Sequence, residues 1–329
     1  MRRRAWSFAV VILLALHGLR GDTVWAADPV AYVTEIHRGT NGEVLVKLDA
    51  EADWKVPQPL LGLHSGDQVR ATGDGRAVLF YPHGGAPQTV TIANSPMIVA
   101  APSSPGGTAQ SGSTLAWFVR SVVVKSLLGM QGTPRDVQGG VRGEDKHLVD
   151  AEAPLILSPR ETRLFPGRPT FEWEGNDQLR YTVRVRGPEG LLWEEVNLPR
   201  RPVSYPTAAP LLRPDVGYEW ELSAAGYRAQ RSPFELLSDS EALRIRDALT
   251  ALEGTKREGY PPATIAVMRA AVLFHEGLFQ EARSGLEAAV LLHPNEPTIH
   301  FLLGRAYAAI GLHARAVEAF QKARSLARQ

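Results

Sequence analysis

The chain has 329 residues, 36 basic and 35 acidic side chains, 44% apolar residues and no cysteine. That length can carry two or three separately packed domains. Without cysteine there are no disulfides, no thiolate chemistry and no cysteine-ligated zinc, and the balanced charge gives no support for nucleic-acid binding, which needs a basic face.

Arg2-Arg3-Arg4 lead an apolar run from Ala5 to Leu16, and Val24-Trp25-Ala26 offers small-residue spacing for cleavage. A basic start, a short apolar core and a cleavable tail predict a secretory signal over residues 1–26. The alternative is an uncleaved membrane anchor, against which the run is shorter than the roughly twenty apolar residues of a membrane span. Removing Arg2, Arg3, Arg4, Arg20 and Asp22 with that segment turns a net charge of +1 into −2, so the basic balance belongs to the signal. The expected location is the periplasm.

From Ala31 to about Val99 the sequence reads as short strands separated by glycine turns. Glu43 to Leu48, Ala77 to Phe80 and Thr89 to Ile92 alternate, and Asn41-Gly42 and Gly73-Asp74-Gly75 mark turns. The segments Gly39 to Val44, Leu63 to Thr72 and Arg76 to Leu79 carry a resemblance to the FecR-like domain, with a Gly66-Asp67 step before a strand that ends in Thr72. That resemblance implies a small all-β periplasmic module over 27–100. It also brings an alternative function, since such domains occur in regulators that relay a surface signal to a sigma factor.

Residues 101–153 are predicted to be a linker, opening on the Pro, Ser and Gly-rich stretch 101–113. Within it, 114–128 is an apolar helix interrupted by Arg120 and Lys125. Two readings stand for it, a peripheral membrane contact and docking on a neighbouring part of the chain, and docking leads.

A second β module is expected over 154–238. Thr170 to Glu174, Tyr181 to Val185 and Tyr218 to Leu222 alternate aromatic or aliphatic residues with charged ones, the pattern of a sheet with one buried face. Leu212 to Tyr218 resembles the corner of fibronectin type III-like sandwiches, which implies a Tyr218 hydroxyl bonded to upstream backbone and a buried Trp173. Glycan binding through exposed aromatic residues of the two β modules is a further alternative.

The remaining stretch, 239–329, has helical spacing. Gly277, Ala282, Leu286 and Ala289 recur 34 residues later as Gly311, Ala316, Phe320 and Ala323. This period and these positions resemble tetratricopeptide repeats. The fold class is thus multidomain, with two all-β modules followed by an all-α helical-repeat region. The resemblance places a peptide groove on the first helix of each repeat, at Thr264, Val267, Ala271, Phe274, His275, Thr298, Phe301 and Arg305. Val267, Ala271, Thr298 and Leu302 stand where the family's carboxylate clamp has Lys and Asn, so the expected ligand is a mainly apolar segment. The last helix is expected to leave Val317, Phe320 and Leu326 partly uncovered.

No catalytic constellation is found: there is no HExxH, no G-x-S-x-G and no phosphate-binding glycine loop. His293 and His300 read as solvated, and no metal or cofactor is expected. The functional expectation is a non-catalytic scaffold of the cell envelope that binds another protein or a peptide segment through the groove.

Overall fold

A computed structural model of the protein describes residues 28–82, 84, 86–100, 121–123, 125, 126, 129 and 153–328. The expected signal 1–26 and the stretch 101–113 lie outside the described residues.

The first β part is built from two antiparallel sheets. One has the order β3 (Gly62–Leu63), β1 (Ala31–His37), β5 (Arg76–Phe80), β6 (Gln88–Val90). The other has the order β2 (Glu43–Lys47), β4 (Gln68–Thr72), β7 (Met97–Ile98). Alternating residues of both, among them Val33, Val44, Val46, Val69 and Leu79, fill one core. The last predicted strand stops at Val90, because Thr91 caps a 3-10 turn over Ile92–Asn94.

The glycine turns have a stated job here. The Asp74 carboxylate accepts N–H bonds from Thr40 at 2.7 Å and Asn41 at 2.9 Å, pinning the β1–β2 and β4–β5 turns together. A side chain at Gly39 would run into that carboxylate at 2.3 Å, so only glycine fits. Asp67 does similar work, accepting from the Asp49 and His64 backbone at 2.8 and 2.7 Å.

The second β part also has two sheets. β8 (Leu155–Ser158), β10 (Thr170–Glu174) and β13 (Val203–Ser204) form one, in the order β13-β10-β8. The other runs β12 (Gly190–Leu198), β11 (Tyr181–Gly187), β14 (Gly217–Ala224), β15 (Gln230–Leu236), β9 (Thr162–Leu164), with β15 and β9 parallel. Aromatic residues fill its core: Trp220 and Phe171 meet with ring centroids 5.0 Å apart, and Trp173 packs on Tyr181 at 5.5 Å. The Tyr218 hydroxyl accepts from the Arg213 N–H at 2.7 Å, closing the corner five residues upstream.

After β15 the chain is helical. The helices are α1 (Asp239–Gly254), α2 (Pro262–His275), α3 (Phe279–Leu292), α4 (Pro297–Ala309) and α5 (His313–Arg328). α1 opens on a capping box in which Ser238 and Glu241 exchange side-chain and backbone bonds. Gly277 and Gly311, with φ of 72° and 71°, make the left-handed turns between α2 and α3 and between α4 and α5. Gly304 lets α5 approach, since a Cβ there would lie 2.8 Å from the Phe320 ring. Phe320 packs against Phe301 with ring centroids 5.6 Å apart, and Val317, Phe320 and Leu326 are each half-buried, so this face of α5 stays partly uncovered. No helix among the described residues is long and apolar enough to cross a membrane.

Both β parts are attached to the helices. Tyr32, Leu60 and Phe80 of the first belong to the same buried cluster as Val267, Ala271 and Leu302. Of the 114–128 segment, the described residues 121–123, 125 and 126 are helical, and Val122 and Val123 are buried in that cluster. The second β part meets the turns between helices: Arg163 N–H donates to Gly277 O at 3.0 Å, and an Arg160 guanidinium N–H donates to Gly311 O at 3.0 Å.

Candidate binding groove

The helical face expected to bind on α2 and α4 is covered: β1 lies against the first turns of both helices, and Leu60, Phe80, Val122 and Val123 join it in the same buried cluster. Thr264 and Thr298 are fully buried, as are Val267 and Ala271. Thr264, Val267 and Ala271 recur at three- and four-residue steps, which puts them on one side of α2. Across from them, β1 is buried at every position from Ala31 to Ile36.

A strand buried on both faces must satisfy two neighbours, and a bulge makes this possible. Val33 pairs with Leu79 of β5 and Glu35 with Val78, which leaves Thr34 as the extra residue. Val33 and Ile36 thus point into their own core. Thr34 and Glu35, which a regular strand would send to opposite faces, both reach α2. The Thr34 and Thr264 hydroxyl oxygens are 3.1 Å apart. Glu35 Oε1 accepts from Thr264 N at 2.9 Å and Thr264 Oγ1 at 2.7 Å.

This contact does for α2 what a cap does. The first turn of a helix leaves N–H groups without partners, which a preceding Ser, Thr, Asp or Asn side chain normally satisfies. α2 begins on Pro261 and Pro262, and its N-cap residue Pro261 offers no side-chain bond. Thr298 stands 34 residues after Thr264. There the local cap is present: Glu296 Oε1 accepts from Thr298 N at 3.2 Å. Glu35 therefore supplies in α2 the carboxylate that Glu296 supplies in α4.

Glu296 also reaches the other way, accepting the Ile36 N–H at 3.0 Å through Oε1. One carboxylate from the strand and one from a helix start thus bond across the same contact, Glu35 to α2 and Glu296 to β1. Burial pushes the Glu296 carboxyl up to about 7, and the charge of Glu35 adds to the rise. Arg76 Nη2 lies 3.9 Å from Glu35 Oε2, with its side chain half in solvent.

A second borrowed cap sits on α3. Its N-cap residue Leu278 has no side-chain bond. Thr162 Oγ1, from β9, accepts the Gln280 N–H at 3.2 Å instead. Beside it, burial lifts the Glu281 carboxyl to about 7.

The other expected groove residues are placed elsewhere. Phe301 is buried against Phe320, inside the stack. Arg305 donates to Gly129 O at 3.3 Å, towards the apolar segment. Phe274 and His275 lie at the far end of α2, where Phe274 packs on Phe279 at 5.8 Å and His275 is exposed. Next to them Arg244 clamps the buried Glu276 carboxylate through two bonds of 2.8 Å.

His300 is buried rather than solvated, with Nε2 2.8 Å from Pro294 O. Among the described residues no group of three or more His, Asp or Glu side chains could hold a metal ion. A cleft lined by Ala270, Leu273, Ala282 and Leu286 holds about 20 Å³, room for one water at most.

Glu35, Glu296 and Thr162 escaped sequence reasoning. One signal could have found the first pair: Pro262 stands 34 residues before Glu296, the spacing that also separates Thr264 from Thr298. Neither a protein-family model nor a curated protein sequence matches this chain.

Proposed function

We propose that the chain is a non-catalytic scaffold of the bacterial envelope, exported to the periplasm, with FecR-like and fibronectin type III-like modules ahead of tetratricopeptide-like repeats. Its task is to hold an extended segment of a partner protein on the α2–α4 face. One observation supports this most directly: that face already holds an extended segment, β1, by apolar burial together with side-chain and backbone hydrogen bonds. A surface that grips a strand of its own chain in this way has the chemistry to grip a strand of another.

The test uses the full chain expressed in bacterial cells, with a photoreactive side chain at Val267. Irradiation is expected to join it to a second protein, with the crosslink mapping to an extended segment. Crosslinks that run only to residues 31–37 of the chain itself, across growth conditions, would make the groove an internal seam and end the scaffold reading.

A further inference from the structure

We propose that the contact of β1 with the first turns of α2 and α4 is a pH-sensitive clasp, closed in mildly acidic surroundings and loosened as Glu296 ionises beside Glu35. The proposal deepens the groove reading, since it says when that face is covered.

The geometry carries it. Two carboxylates from opposite sides of one interface are buried there, Glu35 at 1% and Glu296 at 6% exposure. Each is bonded across the seam, Glu35 to Thr264 and Glu296 to Ile36. Closing the seam therefore requires taking both carboxyl groups out of water together, and a second buried negative charge opposes it.

The surrounding charge does not cancel that opposition. β5 contributes Arg76, 3.9 Å from Glu35 and half exposed. β1 contributes Tyr32, whose hydroxyl burial holds well above the ordinary range at about 12, so it stays neutral. The first two turns of α2, Pro262 to Met268, contain no titratable side chain. α4 contributes His300, with Nε2 turned to the Pro294 carbonyl. Among the described residues, no lysine, arginine or histidine forms an ion pair with Glu296.

The direction follows from linkage. Glu296 is held up to about 7 when the seam is closed. An exposed glutamate titrates near 4.3, so the closed state binds the proton more tightly. Closure is at full strength below the exposed value and weakens as pH rises through about 7, where it levels off.

The measurement is hydrogen exchange on the full chain at pH 5 and pH 8, corrected for the intrinsic pH dependence of amide exchange. Protection of the Ile36 and Thr264 amides, the two that donate across the seam, is expected to fall together, on the order of 50-fold, while β14 keeps its protection. Glu296→Gln retains an acceptor for Ile36 and Thr298, and should hold the seam closed with a flat profile. Should that variant fold poorly, Glu35→Gln gives a second reading, with the pH span reduced.

Equal protection of the Ile36 and Thr264 amides at both pH values would overturn the clasp, as would a Glu296→Gln or Glu35→Gln profile that tracks the parent chain. No partner enters this measurement, so a flat parent profile leaves the groove reading standing. Conversely, a pH-dependent seam that captures only its own β1 leaves the clasp and removes the scaffold.

Discussion

Replacing Glu35 by alanine tests the idea that α2 is capped from a distance. The change deletes the acceptor for Thr264 N and Thr264 Oγ1, bonds of 2.9 and 2.7 Å. Losing a helix N-cap costs about 1 kcal/mol, and losing a bond from a hydroxyl to a charged acceptor costs about 1.5–3 kcal/mol. Against this, the variant no longer buries a carboxylate beside Glu296. That relief is worth on the order of 1–2 kcal/mol, since a buried charge pays a desolvation penalty that its hydrogen bonds only partly offset. The Arg76 contact, long and half in solvent, adds little. The net expectation is a loss of about 2 kcal/mol, read as an earlier urea midpoint of the helical circular-dichroism signal. Thr264→Val in the same background isolates the hydroxyl part through a double-mutant cycle. A coupling near 1.5 kcal/mol is expected, and a coupling below about 0.3 kcal/mol would refute the Glu35–Thr264 hydroxyl bond, because independent sites add to within that margin; the backbone cap is refuted if Glu35→Ala leaves the urea midpoint unchanged.

Two further outcomes can be checked without a partner. Gly304→Ala drives a methyl to 2.8 Å from a Phe320 ring that Phe301 holds in place. Overpacking of this kind costs about 1–3 kcal/mol, so the helical midpoint should fall, and Phe320→Leu in the same chain should restore most of it. At the first β part, the backbone N–H groups of Thr40 and Asn41 hold the Asp74 carboxyl below the ordinary carboxylate range. The pinned turns should therefore survive acidification past the point where free aspartates protonate, and loosen only as pH falls through that lowered value. Amide shifts of Thr40 and Asn41 followed by NMR should report this titration, and an ordinary aspartate midpoint would contradict the clamp.

Much of the architecture is visible in the sequence because it is local. β10, β11 and β14 alternate, each with one face in an aromatic core, and a period of two survives in their residues. The turns at Gly277 and Gly311 are legible for the same reason, as a left-handed residue is needed at one point in each hairpin. The filled groove is not legible in that way. Glu35 and Thr264 are 229 residues apart, and no periodicity joins them. β1 itself hides, since a strand buried on both faces has no polar side, and its bulge at Thr34 breaks whatever alternation was left. Phe301 and Arg305 read as ligand-facing only because of the 34-residue spacing. Position along a helix gives the side of the cylinder, and what lies on that side depends on residues elsewhere in the chain.

The two borrowed caps change what the helices can be taken to be. α2 takes its first-turn acceptor from β1 and α3 takes its own from β9, so the hairpin between them is completed by both β parts. Helical turns at an uncapped start fray first, because their N–H groups lose partners while the chain gains entropy. Opening the seam at β1 would therefore do more than bare an apolar face. It would leave the Thr264 N–H without its acceptor, Ile36 without Glu296, and the first turn of α2 loosened. A segment that replaced β1 would have to restore an acceptor at that turn as well as cover Val267 and Ala271. Apolar surface alone meets only the second need. The first calls for an acidic side chain on extended backbone, which is the chemistry that β1 itself presents through Glu35.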